Sequence, residues 1–161
     1  MKTLFEVITK KISNGMQWFA GLTLCGVAVL TLTDIVSRRF GYPVVGTYEI
    51  TSFLGGIVAG FAIPATSLAN GHIIVDLFID KLSDARKGVL QITTRVMGIF
   101  LFFILGYFLI SMACNLYARG EVGMATKLPF YPIAAGIGVS CFVQVCVLIL
   151  EILKIYGRDH E

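Results

Sequence analysis

Four charged residues gather where two apolar stretches meet: Asp34, Arg38, Arg39 and Glu49. Asp34 and Arg38 are four residues apart, which puts them on one helix face within ion-pairing reach. Glu49 returns to the same level after a short turn, so the four are expected to form one ionic cluster. The chemistry open to such a group is a contact surface for a second subunit or outer partner, or an anchor for helix ends. His72 and Asp76 repeat the i,i+4 spacing further along, with an imidazole able to titrate near neutral pH. At the centres of the apolar stretches the polar residues are Thr23, Thr51, Ser52, Ser111, Asn115, Ser140 and Gln144, and none of them ionises. A transporter that couples solute movement to an ion carries a charged group near mid-membrane. The pattern therefore argues against a chain that moves a solute alone. Asn115 and Gln144 suit hydrogen bonds between helices.

Enzymatic chemistry lacks its residues. The two histidines, His72 and His160, both lie outside the apolar stretches, so they cannot ligate a haem between helices. No nucleophile–base pair, phosphate-binding glycine loop or metal-ligand cluster is present, and no cofactor is expected. Cys25, Cys114, Cys141 and Cys146 match neither a disulfide framework nor a metal site, and are expected to be small packing residues.

The elements that must position these residues are membrane helices. Of 161 residues, 57% are apolar and only 14% charged, far below a soluble domain. The mean hydropathy of +0.84 agrees. Four apolar runs, 18–36, 48–68, 95–117 and 133–156, each approach the roughly 20 residues that cross a bilayer. Without water to satisfy backbone groups these runs must be helical, and they lack the period-2 polarity of barrel strands. The fold expected is an all-α integral membrane protein, a single domain over 1–161.

Between the second and third runs lies an unusual segment. Asp76, Asp80 and Asp84 recur on one helix side, and Ile74, Phe78, Leu82, Ala85 and Val89 on the other. This spacing predicts an amphipathic helix over about 72–82 lying flat in the membrane interface. Ser83 is a suitable N-cap for a helix that continues into the third run. The leader 1–13 is expected to be a charged tail or a short interfacial helix, not a cleavable signal. Pro64 should kink the second helix, and Pro129 and Pro132 suit the start of the fourth. Gly56 and Gly60 form a GxxxG-like face for close approach, within this protein or against another.

Lysine and arginine set orientation. Lys2, Lys10, Lys11, Lys81, Arg86, Lys87, Arg95, Lys154 and Arg158 fall on one side, and Arg38, Arg39, Arg119 and Lys127 on the other. The positive-inside rule then places both termini and the 72–82 segment in the cytoplasm. The net charge of +3 thus reports topology, and no basic stripe with interleaved aromatics invites nucleic acid.

Arg38 with Phe40, Glu49 about ten residues on, the block Gly71-His72-Ile73-x-Val75-Asp76, and Leu128-Pro129 together carry a resemblance. The chain resembles the small, DctQ-like membrane subunit of tripartite ATP-independent periplasmic (TRAP) transporters over nearly its whole length. The resemblance implies a large membrane subunit that holds substrate and sodium sites, and a periplasmic binding protein that delivers an organic acid such as a dicarboxylate or sialic acid. It implies a scaffold role for this chain in a bacterial inner membrane, with sodium coupling in the large partner. Where that family often carries further tryptophans, the only one here is Trp18. The competing reading is a stand-alone, dimeric multidrug-type transporter, for which Asp34 and Glu49 are the only carboxylates to consider.

Overall fold

A computed structural model describes residues 2–68 and 84–158. They contain four helices: α1 (Lys2–Arg39), α2 (Thr47–Leu68), α3 (Asp84–Arg119) and α4 (Tyr131–Arg158). All four are long and apolar enough to cross a membrane. The protein is an all-α membrane protein of four spans, as its composition requires. The segment expected to form the interfacial helix, with His72 and Asp76, lies outside the described residues.

Two boundaries differ from the sequence expectation. The leader is neither a loose tail nor a separate helix: α1 runs unbroken through Asn14-Gly15 for 38 residues. At 1.5 Å per residue it is about 57 Å long, nearly twice the hydrocarbon thickness. Thr9 and Ser13 on its first part are buried, and that packing outweighs the weak helix propensity of Asn and Gly. Pro129 does not open α4. It precedes the helix and forms an isolated bridge with Val122, while Pro132 occupies the first turn.

The two described connections, 40–46 and 120–130, lie at one end of the protein, called here the loop end. Both start from the same C-cap. Gly41 (φ +83°) and Gly120 (φ +63°) take left-handed conformations that side chains rarely adopt. Tyr42 N–H then donates to Ser37 C=O, and Glu121 N–H to Leu116 C=O, closing a Schellman motif at each helix end.

The helices form an open row rather than a closed bundle: α1 packs on α2, α2 on α4, and α4 on α3. Burial follows from that order, at 44% of the span window in α4 and 28% in α2 against 11% in each edge helix. The neighbours α2 and α4 run parallel. Gly60 lets them approach, because a Cβ there would lie 3.0 Å from Ile137 Cγ2; one at Gly56 would touch Ile137 Cδ1 at 3.5 Å. The GxxxG-like face is therefore spent inside the protein. Gly106 and Gly138 do the same between α3 and α4, where a Cβ on Gly138 would sit 2.8 Å from Ile110.

Pro64 is buried inside α2 and carries no N–H for the carbonyl four residues earlier, that of Gly60. The Ser140 hydroxyl of α4 donates to that carbonyl at 2.5 Å. An orphan acceptor created by proline thus becomes a bond between helices, as hydrocarbon demands. Ser140→Ala should lower thermal stability in detergent by about 0.6–1.7 kcal/mol. In a Pro64→Ala background, where the backbone bond can reform, the same change should cost much less. Equal costs in both backgrounds would refute the coupling.

Candidate functional site

The loop-end rim gathers most of the residues singled out by type and spacing. Asp34 is buried, 6% exposed, in the last turns of α1. Its Oδ2 accepts from Arg38 Nε at 2.7 Å, and its Oδ1 accepts from the Val44 N–H at 3.0 Å. The carboxylate thereby ties the end of α1 to the turn that leads into α2. Thr47, at the start of α2, donates its hydroxyl to Val44 C=O at 2.9 Å and closes the same turn.

Glu49 does not join this pair. From the first turn of α2 it reaches across to the α3–α4 connection, 76 and 77 residues away in sequence. Oε1 accepts from Ala125 N–H at 3.2 Å, and Oε2 from Thr126 N–H at 2.9 Å and the Thr126 hydroxyl at 2.7 Å. The connection is folded around the carboxylate: Gly123 N–H donates to Leu128 C=O at 2.9 Å, and Lys127 N–H to Gly123 C=O at 3.0 Å. Lys127 accepts a left-handed backbone (φ 54°) to complete that turn. Gly123 is required there, since a Cβ would lie 2.6 Å from Glu49 Oε2. A Cβ on Gly46 would likewise collide with the Thr126 methyl.

The expected four-residue cluster is therefore two separate devices. Arg38 serves Asp34, backbone amides serve Glu49, and Arg39 makes no ion pair among the described residues. The cause is the row order, which sets α2 beside α4 and so turns Glu49 toward the α3–α4 connection. Arg119 meets Glu121 at a loose 3.5 Å. Pro129 ends the connection that Glu49 holds. Aromatic pairs ring the same level, with Tyr117 against Tyr131 at 5.2 Å and Phe53 against Phe130 at 4.8 Å. Such rings suit the membrane–water boundary.

Two polar contacts bind helices nearer the other end. Gln144 Nε2 donates to Ser67 Oγ at 2.7 Å, both side chains being buried. Arg95 Nε lies 3.0 Å from Glu151 Oε2, joining α3 to α4. Asn115, by contrast, is exposed on α3. Glu151 was not among the candidates. Its signal is a lone carboxylate inside the apolar run 133–156, but its partner Arg95 lies 56 residues away, at the start of a different run. Cys141 is buried, yet Cys25 and Cys114 face outward, so packing does not account for those two.

Chemically, every one of these acids is spent on a structural bond. Among the described residues no three of His, Cys, Asp and Glu are placed to hold a metal ion. A depression of about 460 Å³ with part-polar lining opens outward from α3 between Phe108, Asn115 and Arg119.

The chain matches a known family. The family described as "Tripartite ATP-independent periplasmic transporters, DctQ component" matches residues 27–156, from the middle of α1 almost to the end of α4. The chain belongs to the DctQ family. No curated protein and no solved structure shows a significant match. As a DctQ protein it is the small membrane component of a TRAP transporter, a family of transporter components and not of enzymes. The matched range takes in Asp34, Arg38, Glu49 and the Gly71–Asp76 block.

Proposed function

We propose that this DctQ protein is the non-substrate-binding scaffold subunit of a sodium-coupled TRAP transporter that imports an organic acid, such as a dicarboxylate or sialic acid. Its partners are a large membrane subunit, which holds the substrate and sodium, and a periplasmic binding protein. It sits in a bacterial inner membrane with both termini and the 72–82 segment on the cytoplasmic side, so that the loop end meets the periplasm. The observation that carries this reading is the commitment of the carboxylates in the described spans. Glu6 pairs with Lys10, Asp34 with Arg38 and Glu151 with Arg95, while Glu49 is held by the 125–126 amides. None is left to carry a proton or cation across the membrane. The open row supports the same reading, because helices left so exposed offer long faces to a neighbour.

Co-expression with the large membrane subunit tests the assignment. The tagged chain should retain that subunit through detergent purification and size exclusion. A stable oligomer of this chain alone that catalyses uptake in vesicles would refute it. A stand-alone multidrug-type transporter would need a free carboxylate, so loss of such uptake in Asp34→Asn or Glu49→Gln would favour that reading.

A further inference from the structure

The outward face of α3 carries a feature that lipid does not satisfy. Gly98, Gly106, Ile110 and Ala113 mark the side of α3 packed on α4. Directly opposite, Met97, Leu101, Ile104, Phe108, Ser111 and Asn115 alternate at spacings of four and three. That spacing keeps them on one stripe along the helix, and Ser111 and Asn115 are its polar members. All six are exposed. Polar residues on the other edge helix show the contrast. The hydroxyls of Thr23, Thr31 and Thr33 on α1 each donate at 2.8 Å to the carbonyl four residues earlier, so they can face hydrocarbon. Ser111 and Asn115 make no hydrogen bond among the described residues. Asn115 cannot satisfy both ends of its amide within its own helix, and Ser111 lies about 12 Å below the end of α3 at Arg119. A polar group unpaired at that depth is costly.

The geometry points to the α3 seam as the docking face for a membrane-spanning helix of the large TRAP subunit, with Ser111 and Asn115 hydrogen-bonding to it. This rests on the subunit assignment above and adds which edge of the row is covered. A soluble binding protein cannot reach this depth, and acyl chains offer the Asn115 amide no partner. The open depression between Phe108, Met112, Asn115 and Arg119 provides a recess for a side chain of the docked helix. Arg119 and Glu121 present one charge of each sign at its rim.

The test uses the full chain co-expressed with the large subunit, with a photoreactive phenylalanine analogue at Ile104 or Phe108 on the seam. Control positions are Leu22 and Val29, exposed on α1. The seam positions should give adducts with the large subunit, and the α1 positions should not. Adducts only with phospholipid, only with a second copy of this chain, or only from α1 would overturn the placement. A paired test replaces Ser111 and Asn115 with Leu. Each change should weaken association about three- to fifteen-fold, the range expected for one hydrogen bond between helices in a membrane. The isolated chain should melt no lower than wild type, because Leu suits a lipid-facing site. Lower melting with unchanged association would mean a purely internal role and would also overturn it. Failure of the wild-type chain to co-purify would strike the subunit assignment and this placement together. Co-purification without seam adducts would strike the placement alone.

Discussion

Glu49→Gln should free the α3–α4 connection from α2. The carboxylate offers acceptors to three donors at once, the Ala125 and Thr126 amides and the Thr126 hydroxyl. Glutamine keeps one oxygen and turns an NH₂ group toward donors, so the change introduces repulsion besides removing charge. Amide hydrogen exchange at residues 124–127 should rise sharply, with α2 and α4 little changed. Gly123→Val should release the same connection from the opposite side, since its Cβ falls on the carboxylate. If the loop end meets the partners, both variants should also lower the yield of complex. Exchange at 124–127 indistinguishable from wild type in Glu49→Gln would show that the clasp does not order the connection.

Breaking the Arg95–Glu151 pair should give the second large effect. This pair is 23% and 11% exposed at its side chains, whereas Lys10–Glu6 and Arg119–Glu121 lie far more open and contribute little. Glu151→Leu removes a charged hydrogen bond between α3 and α4 at a cost of about 1.5–3 kcal/mol. Glu151→Arg should be worse, since it sets two guanidinium groups together near the membrane interior. The double variant Arg95→Glu, Glu151→Arg should recover much of the loss in a thermal melt, which is the mark of direct coupling. A double variant no more stable than the sum of its singles would show that the pair does not fasten the helices.

What could be read from the sequence tracks the range of the interaction. Asp34–Arg38 was legible because both ends sit on one helix turn, and the four spans because twenty apolar residues leave no other structure. Glu49 was placed at the correct level but given the wrong partner. Its amides come from the other side of the fold, and nothing local announces them. Arg95–Glu151 was missed for the same reason. The order α1–α2–α4–α3 was hidden because membrane helices are apolar on every side, so no hydrophobic face marks the neighbour. Gly56 and Gly60 showed that a helix could come close without showing that it was α4. Pro64 signalled a break in the ladder of backbone bonds, while the repair by Ser140 needed the fold. The continuity of α1 through Asn14-Gly15 was also unreadable, since those residues are permitted in a helix but seldom favour one.

The central claim is that this DctQ protein supports transport without performing it. Vesicles reconstituted with the large subunit, this chain and the binding protein, under an inward sodium gradient, test it most directly by uptake of a labelled organic acid. Uptake should require the large subunit and the binding protein, fall strongly when this chain is left out, and be absent when this chain is present alone. Uptake by this chain alone, or undiminished uptake without it, would contradict the account.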